Sequence, residues 1–194
     1  MTKFNLLQNI IHSRRSTKPD AMNGQVIDNQ SIQQLLELAH WAPTHGRTEP
    51  WRFVVFEKAA KQQFFLDHAN LYKTHTPAEK FATAKYEKIK EQGKLISHLV
   101  VVYMKRSLNN SIPEIEEIAA VSAAIQNILL AATAAELASF WSTGGMTHHP
   151  SMKEYLHLDK QDTILGLLML GYSDGPAIAG KRDSEISSKI EWKQ

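Results

Sequence analysis

The chain contains no cysteine among its 194 residues. Disulfide bonds, thiolate metal sites, iron–sulfur clusters and catalytic cysteines are therefore excluded. Net charge is also small, because 22 Lys and Arg residues stand against 20 Asp and Glu residues. An excess of +2 favours neither a nucleic acid nor a membrane as a partner. Nine glycines and seven prolines are too few for a collagen-like or low-complexity chain.

The length and the hydrophobic fraction of 43% are typical of a single folded domain, which we expect to cover residues 1–194. Residues 1–12 contain one lysine and no long apolar core, so we expect no signal peptide. A chain without cysteine is compatible with a reducing compartment, and we expect a cytoplasmic protein.

The least polar stretch runs from Ala119 to Trp141 and is long enough to cross a bilayer. Gln126, Asn127 and Glu136 interrupt it, however, and polar groups are costly in lipid. The sequence therefore predicts a buried helix in the centre of a domain or at a subunit interface. Ser111–Pro113 would open this helix.

Apolar side chains recur at helical spacing elsewhere in the chain. Thr76 and Glu79 form a capping box around Pro77, and Gly93 is a natural helix end. Further helices are predicted over residues 3–13, over 32–39 behind the cap candidates Asp28 and Asn29, over 77–92, and from Pro150 to about His157.

Strands are predicted for Trp51–Glu57, Ile96–Met104 and Thr163–Tyr172. The last two are nearly continuous apolar runs, which suit strands buried on both faces. The tail, Glu185–Trp192, alternates in polarity and is predicted as an edge strand. Helices outnumber strands, so we expect an α+β fold of three layers, with helices around a small mixed or antiparallel sheet.

A basic segment, Arg14–Lys18, follows the first helix. Guanidinium groups bind phosphate or carboxylate in a bidentate manner, and Ser16 and Thr17 supply hydroxyl groups. The alternative is a basic helix end that complements the helix dipole.

The loop from Trp41 to Phe53 carries two prolines, two tryptophans and several polar groups. Loops with so many aromatic and polar residues often hold ligands, although a rigid structural corner is an equal alternative. The segment Phe140–Met146 contains Gly144 and Gly145, which would let a ligand approach the backbone closely. A glycine pair that merely ends a helix is the alternative there. Lys181 and Arg182 could meet a phosphate or form a solvated turn.

No metal site is expected, because the adjacent His148 and His149 point in different directions and no HExxH pattern is present. A hydrolase is not indicated either, since GxSxG is absent.

Taken together and in this order, these segments resemble the nitroreductase family, FMN-dependent oxidoreductases that form intertwined homodimers. Arg14, Arg15, Ser16 and Lys18 match its N-terminal RRSxK pattern, and Ala42–Trp51 matches its helix-to-strand loop. The chain is especially similar to the minimal, single-domain YdjA-like branch, in which a WAPxHxRTEPWRF run is typical. The resemblance covers residues 1 to about 182.

The resemblance implies which residues hold FMN in each part of its length. Arg14, Arg15 and Ser16 would bind the phosphate, the ribityl chain and the pyrimidine edge, with Lys18 near N1/O2. The implied set is completed by Trp41, Thr44 and His45 from the second subunit, by Trp141, Ser142, Thr143, Gly144 and Gly145 beside the isoalloxazine, and by Lys181 and Arg182 on the phosphate.

The implied activity is hydride transfer from NADH or NADPH through flavin N5 to a nitroaromatic, a quinone or a similar small electrophile, with ping-pong kinetics. Two alternatives stay open: a flavin-binding protein without turnover, and a helical interaction module without a ligand. We also expect the lysine-rich segment 73–94 to cover the open face of the flavin and attract the phosphates of the dinucleotide, unless it is only a solvated helix face.

Overall fold

The computed structural model of the protein describes residues 1–108, 111–175 and 178–194. Helices and a single sheet account for most of these ranges. The helices are α1 (Lys3–Ser13), α2 (Asn29–Ala39), α3 (Lys58–His75), α4 (Thr83–Leu95), α5 (Glu114–Ala134) and α6 (Pro150–Tyr155), and the strands are β1 (Trp51–Phe56), β2 (His98–Met104), β3 (Ala138–Ser142) and β4 (Thr163–Gly171).

The four strands form one antiparallel sheet in the order β1-β2-β4-β3. The two central strands, β2 and β4, are the apolar runs of the sequence, and nearly all of their residues are buried. Because side chains alternate across a strand, Val100 and Val102 pack on one face of the sheet, whereas Leu99 and Val101 pack on the other.

Helices cover both faces, which confirms the three-layer α+β arrangement. On one face α2 and α5 contribute Leu35 and Ile125 to a core with β2 and β4. On the other face α3 and α6 contribute Phe64 and Met152 to a second core, together with Ile89 of α4.

Helix α5 is long and apolar enough to cross a membrane by length and composition alone. Eight of its side chains are nevertheless buried in this protein, as expected for the core helix of a layered domain. One of them is Glu117, whose carboxylate forms an ion pair with Arg106. The same guanidinium donates to the Ile112 carbonyl at 2.8 Å, so this pair fixes the entry of α5.

Several predicted elements are confirmed almost to the residue. Helix α1 covers residues 3–13, and Asp28 caps α2 by accepting a 2.8 Å hydrogen bond from the Ser31 N–H. The three predicted strands are present, each shorter by one or two residues.

The prediction for the region before β2 is only partly confirmed. The helix expected over residues 77–92 is present as α4, but it begins at Thr83 and ends at Leu95. Residues 58–75 form the 18-residue helix α3, which the sequence did not indicate. Thr76 therefore ends α3 and does not cap a new helix, and Pro77 leads only into a 3-10 turn. Gly93 lies inside α4, where a Cβ would stand 2.9 Å from the Cα of Gln62, so it permits close packing of α4 on α3.

The apolar stretch 119–141 is also not one helix. Helix α5 ends at Ala134, Glu136 adopts a left-handed conformation with φ of 57°, and residues 138–142 then form β3. The expected edge strand at Glu185–Trp192 is absent as well. A 3-10 turn at Ile186–Lys189 occupies its place, and the tail is exposed.

Candidate functional site

The basic segment after α1 lies against the start of β3. The Thr17 N–H donates to the Ser139 carbonyl at 2.9 Å and so attaches the segment to the edge of the sheet. Arg15 is half-buried and donates to backbone carbonyls, including that of Ile178 at 2.6 Å. A Cβ on Gly180 would stand 2.4 Å from the Arg15 guanidinium, so the backbone just before Lys181 lies directly against this side chain.

A groove of about 440 Å³ opens beside this segment. Arg15, Thr17, Ala138 and Ser173 line it, together with Thr133 and Glu136 from the end of α5. Arg14 is half-buried, and no described residue forms a hydrogen bond or an ion pair with its guanidinium. The groove is large enough for a ligand. Arg14 does not line it, but its neighbours Ser13 and Arg15 do, so a guanidinium without a partner among the described residues lies next in the chain to the groove lining.

The glycine turn lies at the opposite end of β3. Trp141 donates its indole N–H to the Leu165 carbonyl at 2.9 Å. A Cβ on Gly166 would stand 2.2 Å from that indole nitrogen, so only glycine lets the ring lie across β4. The Ser142 hydroxyl accepts a 3.3 Å hydrogen bond from the Gly144 N–H, which starts the turn.

His68 of α3 packs against the glycine turn and binds its backbone. Its Nε2 accepts a 2.8 Å hydrogen bond from the Met146 N–H, and a Cβ on Gly145 would stand 2.4 Å from the same nitrogen. Gly145 also has φ of +65°, a conformation that favours glycine. Burial, aided by the positive charge of Lys85, lowers the pKa of His68 to about 4. The ring is therefore neutral near pH 7 and can act as an acceptor.

The loop Trp41–Arg47 connects α2 to β1 and lies apart from the basic segment and the glycine turn. His45 Nδ1 contacts Glu116 Oε2 at 2.5 Å, and Thr44 shares a 3.0 Å hydrogen bond with Thr48. Trp41 is 84% exposed. Thr44 and His45 thus lie against the beginning of α5, whereas Trp41 lines a separate groove with residues of α2 and β1.

The basic segment and this loop face opposite ends of α5. Glu116 contacts His45, whereas Thr133 lines the groove beside Arg15. The two α5 positions are 17 residues apart, which is about 25 Å at the rise of an α-helix. One chain therefore does not bring Arg15 and His45 around the same small ligand.

Other predicted residues lie at the surface. Ser16, Lys18, Thr143, Lys181 and Arg182 are exposed, and Lys181 pairs with Asp183 at 3.3 Å. His149 caps α6 by accepting from the Ser151 N–H, which accounts for one of the paired histidines. Within the described ranges, no group of three His, Asp or Glu side chains could hold a metal ion.

One residue of the site, His68, was not predicted from the sequence, whereas the lysines beside the glycine turn belong to the segment 73–94 that was expected to cover the flavin. His68 belongs to the unpredicted helix α3, where the buried positions 61, 64, 65, 68, 69 and 72 do follow helical spacing. That pattern could have revealed the helix, but Lys61 and His68 within it obscure its apolar character. Lys85 and Lys88 of α4 line a second, smaller cavity against the glycine turn.

Comparisons with known proteins identify the family and the fold. The model of the Nitroreductase family matches residues 11–172. The Bacillus subtilis protein YfhC, which is provisionally named an NAD(P)H nitroreductase, is 27% identical over 182 residues, or 93% of this chain and 91% of that protein. The crystal structure of a nitroreductase-like family protein from Bacillus cereus has a TM-score of 0.85 and 26% identity, with 100% of this chain and 99% of that chain covered.

A more distant structure extends the likeness of fold. NfnB from Mycobacterium smegmatis, described as an FMN-dependent nitroreductase and solved in complex with NADPH, has a TM-score of 0.74 at 15% identity. The match covers 99% of this chain and all of that one.

Proposed function

The chain belongs to the nitroreductase family, and from that membership we propose that it is a cytoplasmic, FMN-dependent NAD(P)H oxidoreductase formed by one domain over residues 1–194. The observation that carries the proposal is the arrangement around β3. A groove lined by Arg15 lies at one end of this strand, next in the chain to Arg14, whose guanidinium has no partner among the described residues. A glycine turn held by a buried histidine lies at the other end.

The chemistry of the groove fits the phosphate end of FMN. The Arg14 guanidinium is half-buried and has no partner among the described residues, and a charged group of this kind gains most from an anion. Arg15 and Ser16 add further donors beside it. Lys181 and Arg182 follow Gly180, whose backbone contacts Arg15, so a small movement of the tail would add their positive charge to the groove.

The glycine turn fits the planar end of FMN. Gly144 and Gly145 carry no side chains, and no described residue accepts a hydrogen bond from the Gly145 N–H. Trp141, Ser142 and Thr143 lead into this turn from β3. A ring system could therefore lie directly on the backbone, with an N–H group free to donate to it.

We propose that the active protein is a homodimer in which a second copy supplies Trp41, Thr44 and His45 to each site. Within one chain these residues and Arg15 face opposite ends of α5. Helix α1 supports this arrangement, because it has no buried residue and exposes Phe4, Leu7 and Ile11. An apolar surface of this kind is usually covered by a partner.

When bound, FMN supplies the hydride transfer between NADH or NADPH and a small-molecule acceptor, for which nitroaromatics and quinones are the proposed class. The chain's own residues bind and orient it. Lys18, which is exposed, would place positive charge near the N1/O2 edge, where it would stabilise negative charge. The neutral His68 ties the glycine turn to α3 through the Met146 N–H.

The test is an absorbance spectrum of the purified protein followed by anaerobic addition of NADH or NADPH. We expect a yellow protein whose flavin band bleaches with the dinucleotide and returns with a nitroaromatic or quinone. Added FMN should raise the melting temperature of the apoprotein, because ligands that bind the native state stabilise it. A flavin band that the dinucleotides leave unchanged would instead identify a flavin carrier without turnover. A colourless protein that FMN does not stabilise would contradict flavin binding itself.

A further inference from the structure

A cavity of about 170 Å³ lies between helix α4 and the glycine turn. Lys85, Lys88 and Gln92 form its α4 side, and Ser142, Gly144 and Gly145 form the opposite side. Cavities that hold whole ligands are usually larger, about 300–1,000 Å³. This one has room for a single polar group of a larger molecule.

The charge around the cavity is positive. No Asp or Glu lines it, and no described carboxylate pairs with Lys85. The Lys85 ammonium lies 4.7 Å from the centre of the Tyr72 ring, a contact that leaves it free to bind an anion. Lys88 is held in place by Asp20 at 2.9 Å, and this ion pair ties α4 to the chain just after the basic segment.

Hydrogen-bond donors outnumber acceptors at the same place. The Gly145 N–H also has no partner among the described residues, but it is the donor proposed above for the flavin ring and is not counted toward the anion. His68, which also lines the cavity, uses Nε2 to accept from Met146, so its hydrogen is on Nδ1. That Nδ1 atom has no hydrogen-bond partner among the described residues, but it is buried and cannot be reached from the cavity. A group rich in acceptor oxygens would therefore bind through the lysines of α4.

We propose that the cavity binds an oxyanion, a carboxylate or phosphate group, carried by one of the two molecules that exchange electrons at the site. The inference rests on the proposed function, because it places the glycine turn beside the isoalloxazine. The oxyanion has two sources: an acidic acceptor, such as a nitroaromatic carboxylate, or the phosphates of the dinucleotide. In both cases the lysines of α4 select the reactant by its charge.

The first arm of the test measures binding without flavin chemistry. The purified protein is titrated with benzoate, with benzamide and with inorganic phosphate, and its melting temperature is recorded. We expect benzoate or phosphate to stabilise the wild-type protein, benzamide to have no effect, and Lys85→Met/Lys88→Met to abolish the stabilisation. Lys94→Met is the matched control, since Lys94 is on the same helix, pairs with Glu91 and does not line the cavity.

The second arm separates the two sources. The acceptors are 4-nitrobenzoate and 4-nitrobenzamide. If the cavity binds an acidic acceptor, the Lys85→Met/Lys88→Met variant should have a KM about tenfold higher for 4-nitrobenzoate alone. The size follows because an exposed charged hydrogen bond is worth about 1.5 kcal/mol. A dinucleotide site predicts the same rise for NADH or NADPH with either acceptor. Both effects should weaken as salt is added.

The inference is overturned if neither anion stabilises the wild-type protein, or if the double variant behaves like Lys94→Met in both arms. Failure of the proposed function has a different signature, because a protein without flavin gives no activity in the second arm while the first arm still reports on the cavity.

Discussion

Acidification should destabilise this protein through one buried side chain, His68. Its imidazole is 3% exposed, and its pKa is lowered from 6.5 to about 4, by burial first and by Lys85 second. In the unfolded chain the His68 imidazole is protonated as the pH falls through about 6.5. In the folded chain it stays neutral until about pH 4. The stabilisation is therefore complete above about pH 6.5, declines as the pH falls, and is lost below about pH 4.

The size of the effect follows from the shift. A difference of one pKa unit corresponds to about 1.4 kcal/mol, so the free energy of unfolding should fall by about 3 kcal/mol over this range because of His68. That is a large share of the stability of an ordinary domain. His98 is also buried with a lowered pKa and adds to the total, so the contribution of His68 has to be isolated by substitution.

Urea unfolding at fixed protein concentration, repeated at several pH values, measures this effect. His68→Gln keeps an oxygen that can accept from Met146 but removes the titrating ring, so its stability should fall less steeply with acid than that of the wild type. The exposed His148, changed to Gln, is the control and should leave the wild-type slope unchanged. Parallel curves for the wild type and His68→Gln would show that His68 is not held neutral and would refute the reasoning.

Three further predictions concern single residues. Arg14→Ala should weaken FMN binding about tenfold to a hundredfold in a titration of the apoprotein, because a charged hydrogen bond is worth about 1.5–3 kcal/mol; unchanged affinity in a folded variant would remove Arg14 from the phosphate site. Lys18→Met should lower the flavin midpoint potential more than it weakens binding of oxidised FMN, since an ammonium near N1/O2 favours the reduced anion; an unchanged potential would make Lys18 a solvated lysine. Gly93→Ala should lower the free energy of unfolding by about 1–3 kcal/mol through overpacking against Gln62, whereas Gly175→Ala, whose Cβ would be 3.7 Å from its nearest neighbour, should have little effect.

Periodicity predicted those elements whose buried face is purely apolar. The strands β2 and β4 are nearly uninterrupted runs of apolar residues, mostly Val, Leu and Met. In α2, after the Asp28 cap, the buried apolar side chains recur at helical spacing. Helix α3 escaped because its buried face contains Lys61 and His68. Both are compatible with burial only through tertiary partners, the Ile96 carbonyl for Lys61 and the Met146 N–H for His68.

Helix ends were the second difficulty. The end of α5 lacks the usual glycine, because Glu136 takes the left-handed position there. Only Glu136 separates the apolar helix from β3, and without a glycine or proline there the sequence alone does not show where the helix ends. At Thr76 the sequence contains a capping-box pattern that the structure does not use. Thr76 ends α3 and starts no helix.

For the candidate site, the sequence identified the segments but not their grouping. The resemblance placed Arg14, Arg15 and Ser142–Gly145 in one site, and the structure puts them at the two ends of β3. It also placed His45 there, and within one chain His45 is paired with Glu116 at the far end of α5. Residue spacing in the sequence does not show whether a residue serves the site of its own chain or that of a partner, because this depends on how the chains assemble.

Subunit mixing tests most directly the central claim that two chains build each flavin site. His45→Ala and Arg14→Ala subunits, each inactive or weak alone, are co-expressed with different tags, and the mixed dimers are purified through both tags. If the sites are shared, each mixed dimer has one intact site and one doubly altered site, so FMN binding and dinucleotide-dependent activity should return to about half of the wild-type value per dimer. If Arg14 and His45 of the same chain serve one site, the mixed dimers contain no intact site and stay as weak as their parents, which would contradict the claim.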